Sequence, residues 1–488
     1  MLKFFGIILF FLFALYGLLL IPSSTPDSPK IADKQPFAWN QDSVWESLEK
    51  EFIAAKEMDC LENLAKIDTA IAAIHQFLDN IAQDTLPPEA TQFALLERQF
   101  FQLGPQIGAC EERLTTYMNL FSKIRKVVKD QSVHWDMKTS KARNTIYRLL
   151  YGGRAGIEEL MLQAHPENVS PMLLAYDEPS QTPSIDIMGV KAHSGDMLVS
   201  RGGAPTSALI SRGNDYPGNF SHVSLLHVDE NSGETSIVES WIEKGVFVND
   251  FESYVNDKKL RMMILRPRAD LPALQKNPML PHEVADSAKQ VVETQHIPYD
   301  FAMNYTEPSK QFCAEVVSSA YGHFGIDLWM GLSTISSPGL ARWLSLMGVQ
   351  FFETHEPSDL EYDPQLTVVA EWRGLETLYQ DHLDNAMIDI MLEGAEAGEG
   401  LPYDWHLLPF GRLAKGYSAV LNWMGKEGPV PEGMSATTAM RVRKFIATHH
   451  ALRDSLKEKA KIYEAEHGYH PPYWDLVNLA REVKNSGL

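Results

Sequence analysis

Three residue types that could do chemistry together are a cysteine, a histidine and a carboxylate: Cys313, His222 and Glu239. Cys313 stands in Ser309-Lys310-Gln311-Phe312-Cys313-Ala314-Glu315-Val316-Val317, which reads as the start of a helix running from about Lys310 to Phe324. The free amides of a helix's first turn carry partial positive charge, which favours a thiolate and can also hold the oxyanion formed when that sulfur attacks a carbonyl. Such a nucleophile needs an imidazole to move its proton, and the imidazole needs an acceptor that orients it. His222 opens the strand-like run His222-Val223-Ser224-Leu225-Leu226-His227-Val228, and Glu239 lies in the next one, Ser236-Ile237-Val238-Glu239-Ser240-Trp241. On neighbouring strands of a hairpin the two side chains can meet. His227 has the opposite strand parity and points to the other face.

These residues fall within a region that alternates with period two. Met197-Leu198-Val199, Gly245-Val246-Phe247-Val248 and Met262-Met263-Ile264-Leu265 are further short strands, and Asn231-Ser232-Gly233 suits a tight hairpin turn. Helices follow from about Pro281 to Gln295 and at Cys313, so strands precede helices and the fold class is α+β, not a parallel βαβ array. The catalytic region spans residues 180–375, after a Pro- and Ser-containing boundary at Pro171–Pro183.

Upstream, residues 41–170 are helical. Leu48, Phe52, Ala55, Leu61, Leu64, Ile67, Ile71, Ile74 and Phe77 trace one apolar face of a long helix, Pro87-Pro88 breaks it, and a second helix starts near Glu89. Folded back as a hairpin, the two helices bring Cys60 and Cys110 roughly opposite each other. An exported chain would oxidise that pair to a disulfide, whereas a reducing compartment would leave two buried thiols. In either case Cys313 is left over. Residues 376–488 form a C-terminal helical region with Gly and Pro breaks.

The N-terminus carries an apolar run from Phe4 to Ile21, preceded by Lys3 and followed by a Pro- and Ser-rich stretch that reads as a flexible stalk over residues 22–40. About 18 apolar residues exceed an ordinary signal-peptide core, and no Ala-x-Ala site follows, so residues 1–21 are expected to be an uncleaved anchor. Lys3 keeps the short end in the cytoplasm and exports the rest, which places the protein at a bacterial inner membrane with its bulk in the periplasm. The net charge of −21, from 64 acidic and 43 basic residues, argues against nucleic acid as a partner.

Five segments occur in an order found elsewhere: Ser194-Gly195-Asp196-Met197-Leu198-Val199, Ser221-His222-Val223, Val238-Glu239-Ser240, Pro298-Tyr299-Asp300-Phe301 and Phe312-Cys313-Ala314-Glu315-Val316-Val317. Together they resemble the circularly permuted papain-like amidases of the YiiX type, in the NlpC-like superfamily of cysteine peptidases, whose histidine precedes the cysteine. The resemblance covers about residues 185–330. It implies a permuted papain-like core, an antiparallel sheet packed with helices, with Cys313 as nucleophile, His222 as base and Glu239 as the group orienting the ring. It places Tyr299 and Asp300 near the substrate. Ala314 departs from the serine common after the cysteine, and the helical flanks lie outside the pattern.

The expected reaction is hydrolysis of an amide in a peptide or in peptidoglycan through a thioester on Cys313, with no metal or organic cofactor. A lipid acyl hydrolase or acyltransferase, and an inactive envelope scaffold, are the alternatives. The sequence has no Gly-x-Ser-x-Gly, phosphate-loop or His-Glu-x-x-His motif. His449-His450 and His467-Gly468-Tyr469-His470 read as solvated helix-end histidines, and the acidic cluster Glu353–Asp363 reads as a solvated loop.

Overall fold

The computed structural model describes residues 2–23, 29–38, 43–55 and 57–487. Its centre is a seven-stranded sheet in the spatial order Met172–Leu174, Leu366–Trp372, Lys259–Pro267, Met197–Gly202, His222–Val228, Thr235–Trp241, Gly245–Asp250, and each neighbouring pair is antiparallel. The five strands visible as period-two runs are the last five in this order. The other two escape sequence reading for physical reasons. Met172–Leu174 is only three residues long, and Leu366–Trp372 pairs with Lys259–Pro267, about a hundred positions earlier in the chain, a partner that no local pattern reveals.

One sheet face carries Met197, Val199, Val223, Leu225, Val238, Met263 and Leu265, and buries them against the helices Leu280–Thr294 and Cys313–His323. The other face presents Leu198, Leu226, Ile237 and Ile264 to Tyr254 and to the small hairpin Ser184–Ile187/Val190–His193. Gly195 sets how closely the first of those helices can approach. Its φ is +94°, and a Cβ there would come within 2.5 Å of the Pro281 carbonyl oxygen, so glycine alone fits.

Among the described residues the N-terminal region holds five α-helices where two were expected: Ser43–Ala55, Cys60–Ile81, Thr91–Ala109, Leu114–Ser132 and Ser140–Gln163. The long apolar stripe continues across a break because Asp59 caps the second helix, its carboxylate accepting from the Leu61 amide at 2.9 Å. Cys60 and Cys110 are joined by a disulfide, with their Cα atoms 5.0 Å apart. The described part of the stretch over residues 22–40 lies on the body. Phe37 packs edge-on to Tyr147 and stacks on Tyr216, and its amide donates to the Asp215 carbonyl at 2.7 Å. Residues 24–28 and 39–40 of that stretch are outside the described residues. Leu2–Leu19 is one helix. Among the described residues no helix is long and apolar enough to cross a membrane, and several side chains of Leu2–Leu19 fall outside them.

Two further expectations are overturned. The acidic cluster Glu353–Asp363 is not a solvated loop: Pro357–Tyr362 forms a short 3-10 helix in which Glu356, Asp359, Glu361 and Asp363 are almost fully buried. The partners of the last three come from the distant N-terminal helices. Arg143 reaches Asp359 at 2.7 Å, Arg154 bonds Glu361, and the Lys129 ammonium donates to the Asp363 carbonyl at 2.7 Å. His449 is likewise no solvated end residue. It lies inside the helix Ala436–His467, fully buried, with Nε2 3.4 Å from the Asp384 carbonyl oxygen.

Candidate active site

Cys313 is the first residue of the helix Cys313–His323, one position beyond an extended Phe312. Glu315 completes this helix start, its carboxyl accepting from the Phe312 amide at 2.8 Å. The Cys313 side chain is 6% exposed, and Sγ lies 4.0 Å from the Ser221 carbonyl oxygen, immediately before His222. The sulfur therefore sits at the positive end of a helix and at the start of the strand that carries the histidine.

His222 pairs with Ser200 at the entry to its strand. The pairing of Leu225 with Val238 puts Glu239 diagonal to it on the next strand, a spacing long side chains can bridge. His222 Nε2 donates to Glu239 Oε2 at 2.7 Å, and Asn249 Nδ2 donates to Glu239 Oε1 at 2.8 Å. The carboxylate is thus held from both sides, which leaves Nδ1 of the imidazole for the sulfur.

Burial alone would favour a neutral His222 ring, but hydrogen bonds to Cys313 and Glu239 outweigh it and raise the pKa to about 10. Burial opposes the Glu239 charge too, and the His222 and Asn249 bonds overcome it, so that the pKa is lowered. The carboxyls nearby behave in the opposite way. Burial pushes Glu315 up to about 9, and it pushes Glu356 well above the usual range, with Asp359 and Cys313 adding to the effect. Neutral carboxyls here keep negative charge away from the sulfur.

Tyr299 is half-buried, 5.0 Å from the Phe301 ring, and its phenol is raised well above its ordinary value by burial and then by the charge of Cys313. Asp300 is buried, and its two oxygens accept from the Ala302 and Asn304 amides at 2.9 and 2.6 Å, so it shapes the loop beside the site. The loop is anchored at Gly245, φ +75°, where a Cβ would overlap the Ile297 carbonyl that accepts from the Val246 amide. His227 faces the helix Leu280–Thr294, with its ring stacked on His282.

Residues 191–370 match the model of the permuted papain-like amidase enzymes, the YaeF/YiiX or C92 family. The central domain is a permuted papain-like amidase domain. Among solved structures, the crystal structure of metalloprotein yiiX from Escherichia coli O157:H7 is similar, at 19% identity and a TM-score of 0.30, over 37% of this chain and 97% of that one. No curated protein matches. Sequence reading missed three residues around the amidase centre: Asn249, Glu315 and Glu356. Asn249 alone carried a signal, since it lies on the strand that follows Glu239 in the hairpin succession. Glu315 and Glu356 matter through burial, which a sequence does not display.

Proposed function

We propose that the amidase domain hydrolyses an amide through a thioester on Cys313. His222 takes the thiol proton of Cys313, the sulfur attacks the carbonyl carbon, and the carbonyl π electrons move to oxygen, facing the Cys313 backbone amide. The C–N bond then breaks as His222 delivers its proton to the leaving amine. Water attacks the thioester with His222 taking its proton, and the acid and the thiol are released. Glu239 fixes the ring throughout, and Tyr299 lines the substrate side. The single observation supporting this reading is the Asn249–Glu239–His222 chain, which ends on a sulfur at a helix start.

The substrate we propose is a peptide or peptidoglycan-type amide, met outside the cytoplasm by a protein held through residues 1–21. The Cys60–Cys110 disulfide supports an oxidising compartment. The acyl-lipid alternative draws support from the exposed apolar face of the helix Leu408–Trp423, whose following segment contacts the Tyr299 loop. Muropeptides and a fluorogenic ester, offered side by side to wild type and Cys313→Ala, test the reading. Amine release by wild type alone is expected. Turnover of the ester only would transfer the reading to acyl lipids, and absence of Cys313 alkylation by iodoacetamide would leave a scaffold.

A further inference from the structure

The helix Leu408–Trp423 has an outer face unlike the rest of the surface. Phe410, Leu413, Tyr417, Val420, Trp423 and Met424 recur at helical spacing and are all exposed, Trp423 by 87%. The inner side, with Leu408, Pro409 and Ser418, is buried, and the helix packs on Ala436–His467. Isolated apolar residues on a surface are ordinary, but a stripe along a whole helix marks a contact. Its charge is also out of keeping with the chain. Residues 405–426 contain Arg412, Lys415 and Lys426 and no acidic residue, within a protein of net charge −21.

The N-terminal helix Leu2–Leu19 lies against this element. The Tyr16 hydroxyl donates to the His406 carbonyl at 2.8 Å, and Arg412 donates to the Ile21 carbonyl. Phe10, Phe13 and Leu18 are exposed, so the two helices offer adjoining apolar surfaces.

We propose that this surface seats on an anionic lipid bilayer, with Leu408–Trp423 lying in the interface. In sequence the segment Leu2–Leu19 carries no charged residue besides Lys3, which suits hydrocarbon better than a protein partner with a polar rim. Trp405 and Trp423 stand near the two ends of the stripe, as aromatic residues do at headgroup depth, and the exposed Lys426 beyond its end complements anionic headgroups. The seat is also tied to the amidase centre. In the segment that follows the helix, Glu427 pairs with Lys244 at 3.4 Å, Glu432 pairs with His296 at 2.9 Å, and Gly433 lies against the Phe301 ring. The loop carrying Tyr299 is thereby held close to the lipid surface. None of this depends on Cys313 being reactive.

The full chain, reconstituted in phosphatidylglycerol/phosphatidylethanolamine vesicles with brominated acyl chains, tests the seat independently of what Leu2–Leu19 does. Bromine-dependent quenching of tryptophan fluorescence is expected, with a substantial part of it lost in Trp423→Phe. The pair Leu413→Glu with Val420→Glu should lose the same part, while iodoacetamide labelling of Cys313 and far-UV circular dichroism stay unchanged. Equal quenching in wild type and Trp423→Phe would overturn the proposal. So would protection of Trp423 that rises with protein concentration in the absence of lipid, because a second copy would then be covering the face.

Discussion

Two regions of this molecule bury ionic groups in different ways. Between the N-terminal helices and the sheet, Arg125 and Arg154 face Glu361 and Glu371, while Arg261 bridges Glu158 and Asp381, all of them essentially inaccessible. Every charge there meets an opposite one. At the amidase centre Glu239 and His222 are similarly matched, but the chain of partners stops at Cys313, whose sulfur lies 4.0 Å from the Ser221 carbonyl oxygen. The first arrangement fixes the helical region onto the sheet, and the second leaves one atom free to form a new bond. Pairing that is complete gives rigidity, and pairing that ends on a sulfur gives reactivity.

The largest effect is expected at the open end of that chain. Cys313→Ala should lower kcat/KM on the amide substrate by about 10^4-fold or more while the fold survives, checked by steady-state kinetics and a thermal melt. Arg154→Ala should do the reverse. It leaves Glu361 and Glu371 one buried partner short, with only Arg125 still shared between them, and should cost about 3–5 kcal/mol in denaturant unfolding, with activity per folded molecule retained. If Arg154→Ala removed activity without loss of stability, the contrast between the regions would fail.

Cys60→Ser sharpens the contrast from outside both regions. Opening a link between residues 50 apart in sequence should cost about 2–4 kcal/mol and leave kcat untouched, and reduction with dithiothreitol should reproduce the loss. Glu239→Gln should lower kcat/KM by about 10^2-fold. It should also bring the alkaline limb of the pH–rate profile down from about 10, because the carboxylate is one of the two groups that raise His222. The corresponding stability has a definite sign. A histidine raised from about 6.5 in the unfolded chain to about 10 in the folded one contributes fully below the lower value and loses that contribution as pH rises through about 10. Glu315→Gln should be the mildest change. Burial holds this carboxyl up at about 9, so a neutral amide replaces a group already neutral at pH 7, and stability should shift by less than about 1 kcal/mol.

The legible parts of the fold were those with a short-range signature. His222–Val228 and Thr235–Trp241 are short β-prone runs separated by the turn residues Asn231-Ser232-Gly233, and Leu280–Thr294 and Cys313–His323 follow helical spacing. Cys313, His222 and Glu239 could be picked out because a cysteine near a helix start and a histidine opening a strand have recognisable neighbours. The helix break at Asp59 was hidden because the apolar stripe runs across it, and the cap that makes the break is a single side chain.

By itself the sequence determined periodicity, the order of histidine before cysteine and the acidic net charge, since each is a property of neighbouring residues or of a sum. Only the tertiary structure decided which charges are buried. Glu371 meets Arg125 across 246 positions and Asp359 meets Arg143 across 216, so Asp359 reads as part of a solvated loop until the chain is folded. The environment of a titratable group depends on what packs around it from remote parts of the chain, and that is why the settings of His222, Glu315 and Glu356 became visible only in three dimensions.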